Sequence, residues 1–256
     1  MMKRLAWAAI PQRPKRLTTA VAVGISILLV GLPIANGNTG AAAAGTCSGP
    51  LGNYFNGWFT FTVNTWGSTA NISTEWPSLC SGQASFSTAW VMIADPDLGG
   101  WAQAGYIRTQ LWNLDSRKLY VFSQYRRAVG FQPITKFFSP GPPNDAVRSY
   151  TARYNPMSRR IDLYYEDQRL DTTNFDPTAV WSQPWSSQWS EETGHCQTDV
   201  PGLPLDRVHY TVVRQQHAPG GPWQAPIGAQ FGRDCGAKYA TQQVNQTAFD
   251  AWTAAP

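Results

Sequence analysis

Four familiar catalytic signatures are missing from the sequence: it has no G-x-S-x-G, no H-E-x-x-H, no P-loop and no dinucleotide fingerprint. Histidine is scarce. His195, His209 and His217 all fall late in the chain without metal-ligand spacing, and no order of residues points to a serine triad. No C-x-x-C occurs, which argues against a zinc site for Cys47, Cys80, Cys196 and Cys235. Neither a metal nor an organic cofactor is expected. Helical signals are nearly absent beyond the first 44 residues, and only Ala240–Trp252 reads as a short helix. Internal repeats and domain linkers are missing too.

What the chain does have begins with an export signal. Lys3, Arg4, Arg13, Lys15 and Arg16 form a basic start with no acidic residue nearby, and an apolar segment follows from Leu17 to Ile34. Small residues then lead through Ala41–Ala44 to Gly45, completing the three parts of a secretory signal. A membrane anchor is the rival reading, because the apolar stretch approaches the roughly 20 residues that span a bilayer. No twin arginine precedes the apolar segment, and Ala44-Gly45-Thr46 lacks the leucine of a lipobox before Cys47. The expected division is a signal peptide over 1–44 and one secreted domain over 45–256, with no stable membrane insertion after cleavage.

Removing the signal reverses the charge. The chain as a whole carries 20 basic and 16 acidic residues. With the five basic residues of 1–44 gone, the remainder has a net charge of −1. The basic character belongs to the export signal, so nucleic acid is not an expected partner. All four cysteines lie in the exported part, where an even count reads as two disulfides. Of three possible connectivities, Cys47–Cys80 with Cys196–Cys235 is the simplest, since each closes a local loop.

Trp, Tyr, Phe, Thr and Val dominate this part, interrupted at short intervals by Gly, Pro, Asn and Asp, a composition that favours pleated strands. The expected strands are Tyr54–Val63, Phe86–Ala94, Ala102–Thr109, Leu119–Tyr125, Ala146–Tyr154, Arg160–Tyr165 and Val208–Arg214. Trp58-Phe59-Thr60-Phe61-Thr62-Val63 and Arg160-Ile161-Asp162-Leu163-Tyr164-Tyr165 alternate at period two. Asp95–Gly100 reads as a hairpin loop, and the proline-rich Ser139–Asp145 as a crossover between sheets. Together these predict an all-β sandwich or jelly roll.

Eleven tryptophans follow the signal, and Trp181, Trp185 and Trp189 recur every fourth residue. Pro184 argues against a helix face there. Two uses of the aromatics stay open: filling a sandwich core, or stacking on sugar C–H faces beside amide hydrogen-bonders.

Two patches carry a family resemblance. Ser87-Thr88-Ala89-Trp90-Val91-Met92-Ile93, then Trp101-Ala102-Gln103-Ala104-Gly105-Tyr106, then Leu119–Tyr125, resemble the W-V-x-I … L-Q-x-G … Y-x-x-W-Y-E region of the eqolisin glutamic peptidases. Trp189-Ser190-Glu191-Glu192-Thr193 resembles the G-G-E segment of neprosin-like peptidases. The resemblance implies a concanavalin-like β-sandwich, with Gln103 matching a catalytic glutamine and Glu192, or its neighbour Glu191, a catalytic glutamate. Such a pair implies acid-acting peptide hydrolysis: the carboxylate moves a proton from water, and the amide N–H steadies the oxyanion. Met92 stands where the pattern has glycine, and Ser123-Gln124-Tyr125-Arg126-Arg127 replaces its acidic Y-E-W region. The export signal and composition also resemble those of secreted actinobacterial proteins.

The leading expectation is therefore a secreted, non-catalytic module that binds polysaccharide or another cell-envelope polymer through an aromatic-lined sheet face. Trp101, Tyr106, Trp112, Tyr120 and Tyr125 are its expected contacts. The alternative is a glutamic-type endopeptidase acting on polypeptide through Gln103 and Glu192.

Overall fold

The computed structural model describes residues 45–61 and 64–254. The expected signal peptide over 1–44, and Thr62 and Val63 of the expected first strand, lie outside the described residues. Fifteen strands follow one another: β1 (Tyr54–Thr60), β2 (Gly67–Ser73), β3 (Phe86–Ala94), β4 (Trp101–Thr109) and β5 (Tyr120–Arg126). Next come β6 (Ile134–Phe138), β7 (Val147–Asn155), β8 (Arg160–Tyr165), β9 (Gln168–Thr172) and β10 (Ser186–Thr193). The series ends with β11 (Val208–Gln216), β12 (Trp223–Gln224), β13 (Gln230–Arg233), β14 (Tyr239–Asn245) and β15 (Ala248–Thr253).

They form two antiparallel sheets, one ordered β13-β1-β10-β3-β4-β5-β6 and the other β14-β15-β11-β2-β7-β8-β9. Because side chains alternate across a strand, each sheet sends one set inward. Ala89, Val91, Tyr106, Val121 and Trp189 from the first sheet meet Ile72, Tyr150, Tyr210 and Phe249 from the second. Trp189 is fully buried, and its indole N–H donates to the Thr69 carbonyl of the opposite sheet at 3.0 Å. Trp181 and Trp185 fill a neighbouring part of the same interior with Ile161, Leu163 and Tyr154. The every-fourth tryptophan pattern is thus core packing.

The outer face of the first sheet carries a separate apolar layer of Trp90, Met92, Trp101, Tyr120 and Phe122. This layer explains why every residue of β3 is buried, on both faces. The disulfides are Cys47–Cys80 and Cys196–Cys235. Loops of this length close at a cost to the unfolded chain of about 3–4 kcal/mol each.

The structure adds β2, β6, β9, β12 and β13 to the expected strands, and two further elements correct the sequence reading. Residues 240–252 are not helical but belong to the β14–β15 hairpin, paired from Tyr239↔Thr253 to Gln243↔Phe249 and, after a register shift, at Asn245↔Ala248. The Asn245 side chain accepts from the Thr247 backbone N–H and hydroxyl, fixing the reversal. β10 was absent from the expected strands because Ser186–Thr193 has one apolar residue in eight, Trp189. Its neighbours β1 and β3 make it a central strand.

Trp189→Ala is expected to lower stability by about 3–5 kcal/mol, the usual cost of truncating a buried tryptophan. The exposed Trp112→Ala should change it by less than about 1 kcal/mol. Urea unfolding of both variants checks the contrast.

Candidate functional site

The register of the first sheet decides which side chains share a surface. Gln188↔Met92, Met92↔Gln103, Gln103↔Gln124 and Gln124↔Thr135 are successive partners across β10, β3, β4, β5 and β6. All five project from the outer face, and Phe59 extends the row on β1. Gln103 Nε2 donates to Gln124 Oε1 at 2.8 Å, and Gln124 Nε2 donates to Thr135 Oγ1 at 2.7 Å. Gln188 Nε2 donates to the Ser186 hydroxyl at 3.4 Å. Among the described residues, no donor meets Oε1 of Gln103 or of Gln188.

Aromatic pairs flank this amide row from both sides. Phe59 and Phe61 stack with ring centroids 6.1 Å apart, and Trp112 lies 5.1 Å from Phe137. Phe61 is 46% exposed and Trp112 40%. From β1 to β6 the surface crosses five strand spacings, roughly 24 Å. A surface of that width suits an extended chain better than a single small molecule.

The sequence-derived contacts divide by face. Trp101, Tyr120 and Gln103 itself lie on the outer face but are buried, Gln103 being only 5% exposed. Trp112 alone of the five is exposed there. Tyr106 points between the sheets, where its hydroxyl donates to the Ser73 carbonyl and accepts from the Glu75 N–H. Tyr125 also points inward, packs with Phe175 and borders a cavity of about 180 Å³ near the sheet edge. Tyr106 and Tyr125 therefore cannot belong to the outer surface. The sequence reading missed Phe59, Phe61, Phe137 and Gln188. The odd-numbered Phe59 and Phe61, on and just past β1, and the even-numbered Ser186, Gln188, Ser190 and Glu192 on β10, are the signals that place Phe59, Phe61 and Gln188.

Gln103 and Glu192 share this face without converging. Glu192 pairs with Thr88, which pairs with Ile107, four residues along β4 from Gln103. Four residues along the strands and two strand spacings across put their Cα atoms roughly 16 Å apart. At the level of Gln103 the β10 side chain is Gln188, an amide. Glu192 instead accepts from the Trp90 indole N–H at 3.1 Å. Burial pushes its carboxyl up to about 8, against a partial lowering by the Trp90 hydrogen bond. Glu191 points the other way, between the sheets, where Asn56 Nδ2 donates to it at 2.9 Å. Burial raises its carboxyl strongly as well.

These carboxyls set a pH dependence. Glu192 keeps its proton in the fold at pH values where the unfolded chain, near 4.5, has lost it. Its stabilising contribution is complete below about 4.5 and is lost as pH rises through about 8. Glu192→Gln should flatten the melting temperature against pH over that window. A slope unchanged in the variant would show that Glu192 does not titrate there.

No family model matches this chain, and no curated protein matches its sequence. Its fold does match solved structures. Scytalido-glutamic peptidase with a peptide-based transition-state analogue aligns with a TM-score of 0.56 at 12% identity, over 79% of this chain and 99% of the other. SCP-B, a member of the eqolisin family of peptidases in complex with the tripeptide Ala-Ile-His, aligns at 0.53 with the same identity and coverage. At that identity the likeness is one of fold: this chain carries the two-sheet β-sandwich of the eqolisin peptidases.

Proposed function

We propose that this chain is an exported, non-catalytic module, its domain following a cleaved signal over 1–44, that binds polysaccharide or another cell-envelope polymer. The polymer lies across the outer face of the seven-stranded sheet. One observation carries the reading: the row through Gln103 consists of amides, not carboxylates, nearly closed over at Gln103 and Gln188 and half-buried at Gln124, between the exposed rings of Phe61 and Trp112. Amide oxygens accept from sugar hydroxyls, and ring faces of Phe61 and Trp112 cover sugar C–H surfaces.

The same geometry disfavours peptide hydrolysis. Activating water requires a carboxylate within hydrogen-bond reach of the reacting atoms. Glu192 stands far from Gln103 and holds its proton at acid pH, so it has no free base to offer.

The test is retention on insoluble cell-wall polysaccharide. The purified protein should be retained, and a Phe61→Ala/Trp112→Ala variant should bind at least about tenfold more weakly, while melting at the same temperature. Unfolded casein should survive incubation with the protein from acid to neutral pH. Absence of retention on any wall polymer overturns the binding reading. Acid cleavage of casein that Glu192→Gln abolishes replaces it with the peptidase.

A further inference from the structure

The cavity of about 180 Å³ beside Tyr125 opens where edge strand β6 and the loop before it face the segment after edge strand β9. Tyr125 and Phe175 form its buried side, their ring centroids 6.1 Å apart. Phe131, in the loop joining β5 to β6, forms its open side and is about half exposed. A cavity of roughly 150 Å³ is enough for benzene, so this one admits a single six-membered ring.

Three polar side chains, Arg127, Gln132 and Asn174, also line it. The Arg127 guanidinium lies over the Phe131 ring, 5.2 Å from the centroid. Among the described residues it joins no ion pair. None of the three side chains makes a hydrogen bond within the described protein. The acids of the facing segment are engaged elsewhere, Asp171 with Lys136 at 2.6 Å and Asp176 with Arg159 at 2.8 Å. A surface arginine with free donors is ordinarily just hydrated. This one differs because an aromatic ring holds it beside a cavity that is already formed.

The walls are fixed from behind. The Trp181 indole N–H donates to the Arg127 carbonyl at 2.8 Å, and the Trp181 ring packs on Phe175 with centroids 5.7 Å apart. The Phe131 N–H closes a turn onto the Ala128 carbonyl at 3.2 Å, and the Tyr125↔Ile134 pair closes the base of the loop. Little ordering is therefore left for a ligand to impose.

These groups define what fits. Aromatic faces cover the C–H surfaces of a ring, a guanidinium grips a carboxylate through two hydrogen bonds, and amides exchange hydrogen bonds with hydroxyls. One cation lines the cavity, which matches the single charge of a carboxylate better than the nearly double charge of a phosphomonoester. We infer that the cavity binds a uronic acid residue, its ring between Phe131 and the Tyr125–Phe175 wall and its carboxylate on Arg127. Tyr125 points away from the outer face of the first sheet, so the site is separate from the proposed polymer-binding surface and does not depend on that reading.

The test titrates isotope-labelled protein with free glucuronate, glucose and benzoate, followed by NMR. Glucuronate should saturate with a Kd on the order of 1 mM, and the shifts should centre on Arg127, Phe131 and Asn174. Glucose lacks the charge and benzoate lacks the hydroxyls, so each should bind at least about tenfold more weakly. Arg127→Gln and Phe131→Ala alter exposed side chains and should keep the melting temperature, yet each should weaken glucuronate at least about tenfold. No saturation by about 50 mM glucuronate, glucose or benzoate binding as tightly, or full affinity in Arg127→Gln would each overturn the assignment. Because the probe is a free monosaccharide, failure here leaves retention on wall polymer a separate question.

Discussion

Trp189 couples the two sheets by packing and by a hydrogen bond at once. Its ring is buried between them, its indole N–H is bonded to Thr69 across the interface, and its backbone sits midway along a central strand. Once Trp189 faces inward, the alternation of β10 is fixed. Glu191 follows it into the interior, and Gln188, Ser190 and Glu192 emerge on the opposite side. A slip of one residue would turn the amide row toward the other sheet and Trp189 onto the outer face, so the core contact also sets the chemistry of that face.

The price of that arrangement is two adjacent buried glutamates, one on each side of the sheet. Each is held by a neutral donor, Asn56 for Glu191 and Trp90 for Glu192, rather than by a cation. Such pairing suits protonated acids. Elsewhere charge is used differently: Lys136 of edge strand β6 reaches Asp171 of edge strand β9 at 2.6 Å, clamping the two sheets along one border. A lysine on an exposed edge also discourages strand addition from another molecule.

Strands rich in apolar and branched residues or with clear alternation were legible in the sequence. Phe86–Ala94 and Arg160–Tyr165 occupy the expected residues, and the Asp95–Gly100 hairpin and Ser139–Asp145 crossover also appear. β10 was hidden because its burial comes from neighbouring strands and not from apolar composition. The β14–β15 hairpin was hidden because its alanines and glutamines suit a helix, and the pairing that overrides them is tertiary. Face assignment was more legible than the list of contacts suggests. Tyr106 is three residues from Gln103 and so must point the other way, while Trp101 is two away and shares its side. Which outward aromatics remain open to solvent depends on loops packed over the sheet, and no local pattern records that.

The register of Gln188 has a consequence for how such sandwiches diversify. It stands level with Gln103, with only Met92 of β3 between them, and on the same face. Replacing the Gln188 amide nitrogen by oxygen is nearly isosteric and leaves the backbone pairing intact. That single exchange would set a carboxylate opposite an amide where two amides now face one another. At this point of the scaffold, a pair of amides and a carboxylate–amide pair differ by the identity of one atom at the end of one side chain.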